Sequence, residues 1–203
     1  YRQLERYEEA LVDFNRAIEL DPKHPPFMAL RGLVYRQTGR YEEALADYNQ
    51  AIESNPVYNW ALHSRGKTYL FLERYEEALA DFRRALDLNP NEDWYHYQNV
   101  VTYQRLSLTT PLQVSLDTAI TIATEKHQTA PTNLNNLFNL ALYHTARGDA
   151  GPAEARYREA LALPPNAIIH REAITDLEQY LALFPDDALA ADMREMLRAS
   201  SAD

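Results

Sequence analysis

The chain has 203 residues, with 20 Lys and Arg against 30 Asp and Glu, a formal net charge of -10 and no cysteine. An acidic balance without a basic cluster disfavours nucleic-acid binding, which needs a positive face against phosphate. The missing cysteines exclude disulfides and thiolate metal sites, and no apolar run is long enough to span a bilayer. A secretory-type segment is also missing, so a cytoplasmic protein without a membrane or nucleic-acid partner is expected. Low-complexity sequence is confined to Ala199 to Asp203.

The chain is periodic from its start. Arg-Tyr-Glu-Glu-Ala-Leu runs from Arg6 to Leu11, Arg40 to Leu45 and Arg74 to Leu79, each copy beginning 34 residues after the one before. The frame behind it recurs as well: Asp13, Asp47 and Asp81; Ala17, Ala51 and Ala85; Pro22, Pro56 and Pro90. Strict spacing of this kind marks an array of stacked units. Residues 1–22 read as a partial repeat, and 23–56 and 57–90 as full ones. In the second unit Ala44, Tyr48 and Ala51 stand at i, i+4 and i+7 and share one helix face, with alanines where a neighbour can come close. Gly39 follows the first helix, where glycine takes a left-handed cap at little cost, and Asn55-Pro56 stops the second. Each unit is thus two helices joined by a tight turn, and it needs its neighbours to cover its apolar face.

Beyond Pro90 the signature fades while the spacing continues. Ala119, Ala123, Lys126 and Pro131 keep the offsets of 4, 3 and 5 found at Ala10, Phe14, Ala17 and Pro22, and Ala153, Tyr157, Ala160 and Pro165 keep them again. Pro90 to Pro131 is 41 residues, which is 34 plus 7. Seven residues make roughly two helical turns, so residues 91–131 read as an enlarged repeat with its extra sequence around Ser107 to Val114. Residues 132–165 read as the next unit. Ala173, Leu177, Tyr180 and Pro185 follow, but Pro185 is only 20 residues after Pro165, too soon for a two-helix unit. One helix is skipped there, and Tyr180, in place of a small residue, predicts a site that no neighbouring helix crosses closely. Residues 166–203 are expected to form C-terminal capping helices. The last of these, Asp186 to Arg198, is expected to turn Leu189, Met193 and Leu197 inward.

At the other end, Tyr1 falls at position 11 of a repeat. Most of that unit's first helix lies outside the chain, which suggests a piece of a longer protein. The face of Ala10, Phe14 and Ala17 is then partly open, for stacking within that protein or for self-association of two copies.

These residues resemble the tetratricopeptide repeat family, whose 34-residue unit is two antiparallel helices with small residues at their crossing. The signature positions read Met28, Arg31, Gly32, Tyr35, Ala44, Tyr48, Ala51 and Pro56 in the second unit, and Leu62, Arg65, Gly66, Tyr69, Ala78, Phe82, Ala85 and Pro90 in the third. Met28 and Leu62 stand where the family often has Trp, and Arg31 and Arg65 where it often has Leu. The resemblance implies an all-α fold, a right-handed superhelical solenoid of antiparallel helix pairs whose first helices line a concave groove. Positions 2, 5, 6, 9 and 13 of a unit tend to face that groove. Here they are Trp60, His63, Ser64, Lys67 and Phe71; then Trp94, Tyr97, Gln98, Val101 and Arg105; then Asn135, Phe138, Asn139, Leu142 and Ala146. The second unit offers Pro26, Ala29, Leu30, Leu33 and Gln37. Trp60 and Trp94 either face the groove or fill the space between first helices, since position 2 borders both. The Lys, Asn and Arg clamp by which some relatives hold acidic chaperone tails is not reproduced, because Leu33, Ser64 and Gln98 replace its Asn and Arg.

Catalytic readings find no support. No Gly-rich phosphate loop, His-Glu-x-x-His helix or nucleophile elbow is present. The six histidines are scattered without ligand spacing, so neither a metal nor a cofactor is expected. The Glu-Glu pairs at 8 and 9, 42 and 43, and 76 and 77 open second helices, where carboxylates favour the positive end of the dipole. Aromatic anchors flanked by amides and cations are what a peptide groove uses. The expectation is therefore a non-enzymatic module that binds a partner protein or peptide in that groove. The alternative is a scaffold or sensor arm of a larger protein, such as a signalling ATPase, stacking through its N-terminal edge.

Overall fold

The computed structural model describes residues 2–200. Tyr1, where the partial repeat begins, and residues 201–203, at the end of the capping segment, lie outside the described residues. The described residues form eleven helices and no strand, and the chain divides into two compact units, Tyr1–Pro90 and Asn91–Asp203.

The first unit holds α1 (Arg2–Leu20), α2 (Pro25–Gln37), α3 (Tyr41–Ser54), α4 (Asn59–Phe71) and α5 (Tyr75–Leu88). α2 pairs with α3 and α4 with α5, while α1 packs on α2 and α3 on α4. Small residues make these pairs close. A Cβ on Gly66 would stand 2.6 Å from Phe82, and one on Gly32 3.0 Å from Tyr48, so each second helix lays a ring against the glycine of the first. Tyr48 and Phe82 are fully buried among Ala44, Ala51, Ala78 and Ala85; cutting such a ring back to alanine costs about 3–5 kcal/mol. On α1 the corresponding Ala10, Phe14 and Ala17 are only half-buried.

The helix ends follow from local chemistry. Gly39 takes φ 77° after α2. Arg40 and Arg74 precede α3 and α5, and the first-turn carboxylates Glu43 and Glu77 pair back to them at 2.9 and 2.8 Å. Their guanidinium groups also lie over the rings of Tyr35 and Tyr69, at 4.3 and 4.5 Å.

The second unit holds α6 (Asp93–Arg105), α7 (Thr109–Thr129), α8 (Leu134–Arg147), α9 (Ala150–Leu161), α10 (Ala167–Leu183) and α11 (Ala188–Ser200). α6 pairs with α7, α8 with α9, and α7 stacks on α8. α7 has 21 residues where α3 and α5 have 14, so the extra length of this stretch lies in one helix. Its face of Leu116, Ala119, Ile120 and Ala123 stays buried, as an insertion of nearly whole turns allows. The buried Asp93 carboxylate ties three helices: Tyr143 on α8 donates to it at 2.6 Å, and Lys126 on α7 bonds it as well.

α10 opens after Pro164-Pro165 with Asn166, whose side chain accepts from the amides of Ile168 and Ile169 at 3.1 and 3.2 Å, an ordinary N-cap. α10 and α11 then run antiparallel. The Tyr180 hydroxyl donates to Asp187 at 3.0 Å near the turn, and His170 Nε2 bonds the Leu197 carbonyl at 2.9 Å at the far end. Met193 and Leu197 are buried and Leu189 half-buried, with Ala190 as the third buried residue of α11. α11 rests on α9 and α8, whereas α10 rests on α8. Tyr180 is 3% exposed, and Gln104 and Tyr97 of α6 lie near its hydroxyl. The expectation that no helix crosses near Tyr180 is therefore corrected: a tyrosine fits because α6 lies beside it.

Candidate functional site

In the first unit the expected groove residues lie on α4, beside α2. Trp60 is half-buried, edge-on to Tyr48 with ring centroids 6.5 Å apart and 6.2 Å from Tyr58. Next along the helix, His63 and Lys67 are half-buried and Ser64 is buried. Phe71 is 43% exposed; it stacks on Tyr41 at 6.1 Å, and the Arg36 guanidinium lies 5.9 Å from its ring. On α2, Leu30 is 37% exposed and Leu33 half-buried.

The electrostatics of this face are positive in an otherwise acidic chain. Desolvation, then the Lys67 and Arg36 cations, push the His63 pKa down to about 3. Two polar atoms are orphaned nearby. The Tyr48 hydroxyl sits beside Arg36 and Ser64 without a bond of ordinary geometry to either, and Arg36 Nε is likewise buried and unpartnered. Burial raises the Tyr48 pKa, with Arg36 opposing, so the phenol stays protonated. Neither Arg36 nor Tyr48 was among the expected site residues. Tyr48 carries the pattern of a core ring, and only its buried hydroxyl distinguishes it from Phe82.

In the second unit the expected residues fall on α6 and α8, but much of that surface is covered. Tyr97, Gln98, Val101, Phe138 and Leu142 are buried, Trp94, Asn139 and Ala146 half-buried, and Arg105 and Asn135 exposed. The cover is α10. Trp94, Phe138 and Asn139 share one cavity of about 250 Å³ with Ile169, Ala173 and Asp176. Phe138 meets His170 at 6.0 Å between ring centroids. Arg105 donates to the Leu183 carbonyl at 3.0 Å. Trp94 and Tyr97 meet at 5.4 Å and Tyr97 and Tyr143 at 5.0 Å, forming an aromatic floor. Burial raises the Tyr97 pKa well above its ordinary value, reinforced by Tyr180 and Asp176.

Helices in antiparallel pairs, with a repeated glycine-to-ring crossing, define a helix-hairpin repeat protein. Residues 32–72 match a family described as TPR repeat, and residues 1–24 with 60–92, and 14–46, match families described as tetratricopeptide repeat. The chain is a tetratricopeptide repeat protein. No curated protein matches it. Among solved structures it is similar to a tetratricopeptide repeat protein from Parabacteroides merdae, 19% identical over 97% of this chain and 80% of that one, with a TM-score of 0.59. It is also similar to PilF of Pseudomonas aeruginosa, 18% identical over 98% and 86% of the two chains, TM-score 0.58. A third is YrrB, described as a TPR protein with an unusual peptide-binding site, 17% identical over 90% and 97%, TM-score 0.50. At these identities the likeness is one of fold.

Proposed function

We propose that this chain is a non-enzymatic interaction module that binds an extended segment of a partner protein on the α2–α4 face of the first unit. Trp60 and Phe71 serve as apolar anchors, Lys67, Ser64 and Arg36 hold polar groups of the segment, and His63 remains a neutral part of the floor. One observation carries the reading: the Tyr48 hydroxyl and Arg36 Nε are buried under this face without a partner, beside a Phe71 that is 43% exposed. An unsatisfied buried polar atom costs about 1–3 kcal/mol. A polar group of the segment that meets the half-buried Arg36 guanidinium can turn it toward or away from the Tyr48 phenol and offset that cost, while Phe71 gains contact area. The kinship in fold with YrrB, a TPR protein that has a peptide-binding site, supports the same reading by analogy.

The test is a random-peptide display selection against the chain. Selected peptides are then titrated onto the wild type and onto a Lys67→Glu, Phe71→Ala variant. A loss of tenfold or more, with unchanged circular dichroism, supports the assignment. Selected peptides that all bind both forms equally well overturn it.

A further inference from the structure

We infer that the face shared by α6 and α8 is a helix-binding site in its own right, and that α10 is its resident, exchangeable ligand. The partner it fits is an amphipathic helix with a small residue, a carboxylate and a tyrosine at the spacing of Ala173, Asp176 and Tyr180. This site is independent of the α2–α4 face.

Three observations support it. First, α10 does not extend the stack by the α7-on-α8 pattern. It lies on α8 and reaches α6 through side chains at both ends of its length, from Ala173 and Asp176 beside Trp94 to the Leu183 carbonyl on Arg105. Second, the contact uses recognition chemistry. α10 buries Ala173, Leu177, Tyr180 and Leu181, with Gln104 and Tyr97 of α6 near the Tyr180 hydroxyl and the His170 ring against Phe138 of α8. Arg105 binds a carbonyl in the last turn of α10, where helix carbonyls have no internal partner and a cation is favoured, so the site reads where the helix ends. Third, the fit is incomplete. A solvent-open cleft of about 250 Å³ runs between α10 and the α6–α8 face, lined by the exposed Asn135 and Glu172 as well as by Trp94 and Phe138. The Leu163 to Asn166 connection, with two prolines and no helical hydrogen bonds across it, sets α10 on a short tether.

A tethered ligand competes at an effective concentration in the millimolar range. The test uses the full chain and a synthetic peptide of residues 166–187, titrated onto the wild type and onto an Asp176→Lys, Tyr180→Glu variant. The variant is expected to bind the peptide at least about 100-fold more tightly than the wild type, and adding Arg105→Ala is expected to weaken that binding tenfold or more. Hydrogen exchange of the variant is expected to show lost protection in α10 with α6 to α9 still protected. In the wild type, α10 and α11 are expected to exchange ahead of α8 and α9. Equal peptide binding by wild type and variant overturns the proposal. So does collapse of α6 to α9 in the variant, or exchange of α10 together with α8 and α9 in the wild type, because α10 would then be core.

Discussion

Arg31 and Asp47 form a two-pronged pair, with Nε at 2.8 Å and Nη2 at 2.6 Å from the two carboxylate oxygens, and the third guanidinium nitrogen reaches back to Asn15 at 2.7 Å. The unit repeats 34 residues later as Arg65 with Asp81 at 2.7 and 2.6 Å and with Asn49 at 2.6 Å. Each arginine therefore ties three successive helices at a position where the family often has leucine. Asp47 and Asp81 are both only 4% exposed, which makes the pair expensive to break from one side.

Replacing Arg65 by leucine strands the Asp81 carboxylate. The expected loss is about 2–3 kcal/mol, since a buried acceptor without its partner keeps its desolvation penalty. Arg65→Leu combined with Asp81→Leu should recover most of it, because apolar replacement of both partners is often neutral. Urea midpoints of the two single variants and the double variant decide. A single variant as stable as the wild type would show that the pair contributes nothing.

Gly66 and Phe82 offer a sharper steric test. A Cβ at residue 66 would meet the Phe82 ring at 2.6, 2.9 and 3.0 Å, inside any tolerable contact. Gly66→Ala is expected to destabilise by about 1–3 kcal/mol despite alanine's higher helix propensity, and Phe82→Leu in the same chain should return part of that. A gain in melting temperature on Gly66→Ala alone would show that α4 and α5 can separate freely.

The turns after the first helices carry strain at two of four equivalent positions. Gly39 and Gly148 take φ 77° and 81°, while Glu73 and Ser107 take 58° and 56° with a side chain attached. Left-handed backbone costs a non-glycine residue about 1–2 kcal/mol, offset by the roughly 0.5–1 kcal/mol of extra freedom that glycine loses on folding. Glu73→Gly and Ser107→Gly are each expected to stabilise by up to about 1 kcal/mol, measured by thermal unfolding. A drop in stability from both would show that the side chains matter more than the backbone.

The fold class was legible because the repeat writes its helix crossing in small residues: Gly32, Ala44 and Ala51 predict the contact that Tyr48 makes. Residues 73 and 107 conceal the same turn, because nothing about glutamate or serine announces a positive φ. Asp47 and Asp81 were visible as a repeated frame, yet their partners were not, since Arg31 looks like a departure until the two helices are placed side by side. The candidate site was less legible for a related reason. Periodicity shows that Ala173, Leu177 and Tyr180 share a face, but it does not say which helix that face meets. The coverage of Tyr97 and Phe138 by α10 is a long-range fact without a local signature. The Tyr48 hydroxyl escaped notice because its position serves the core, and Arg36 because it lies outside the positions that tend to face the groove.

His63 sets the response to acid. Its folded pKa is about 3, lowered by desolvation and then by Lys67 and Arg36, while an unfolded histidine titrates near 6.5. The unfolded chain therefore takes up a proton below about pH 6.5 that the folded chain refuses, so stability is full above that pH and falls as pH drops toward 3. His144, lowered chiefly by burial, acts in the same direction. Glu43 and Glu77 are held below the ordinary glutamate range mainly by hydrogen bonds from Arg40 and Arg74, so their share is lost only at more acid pH. Between pH 6.5 and 4.5 the histidines should govern the slope, with His63 contributing up to about 1.4 kcal/mol per pH unit. Urea midpoints at several pH values across that range, for the wild type and for His63→Gln, measure it directly. The variant is expected to show a shallower slope; equal slopes would place the histidine proton elsewhere.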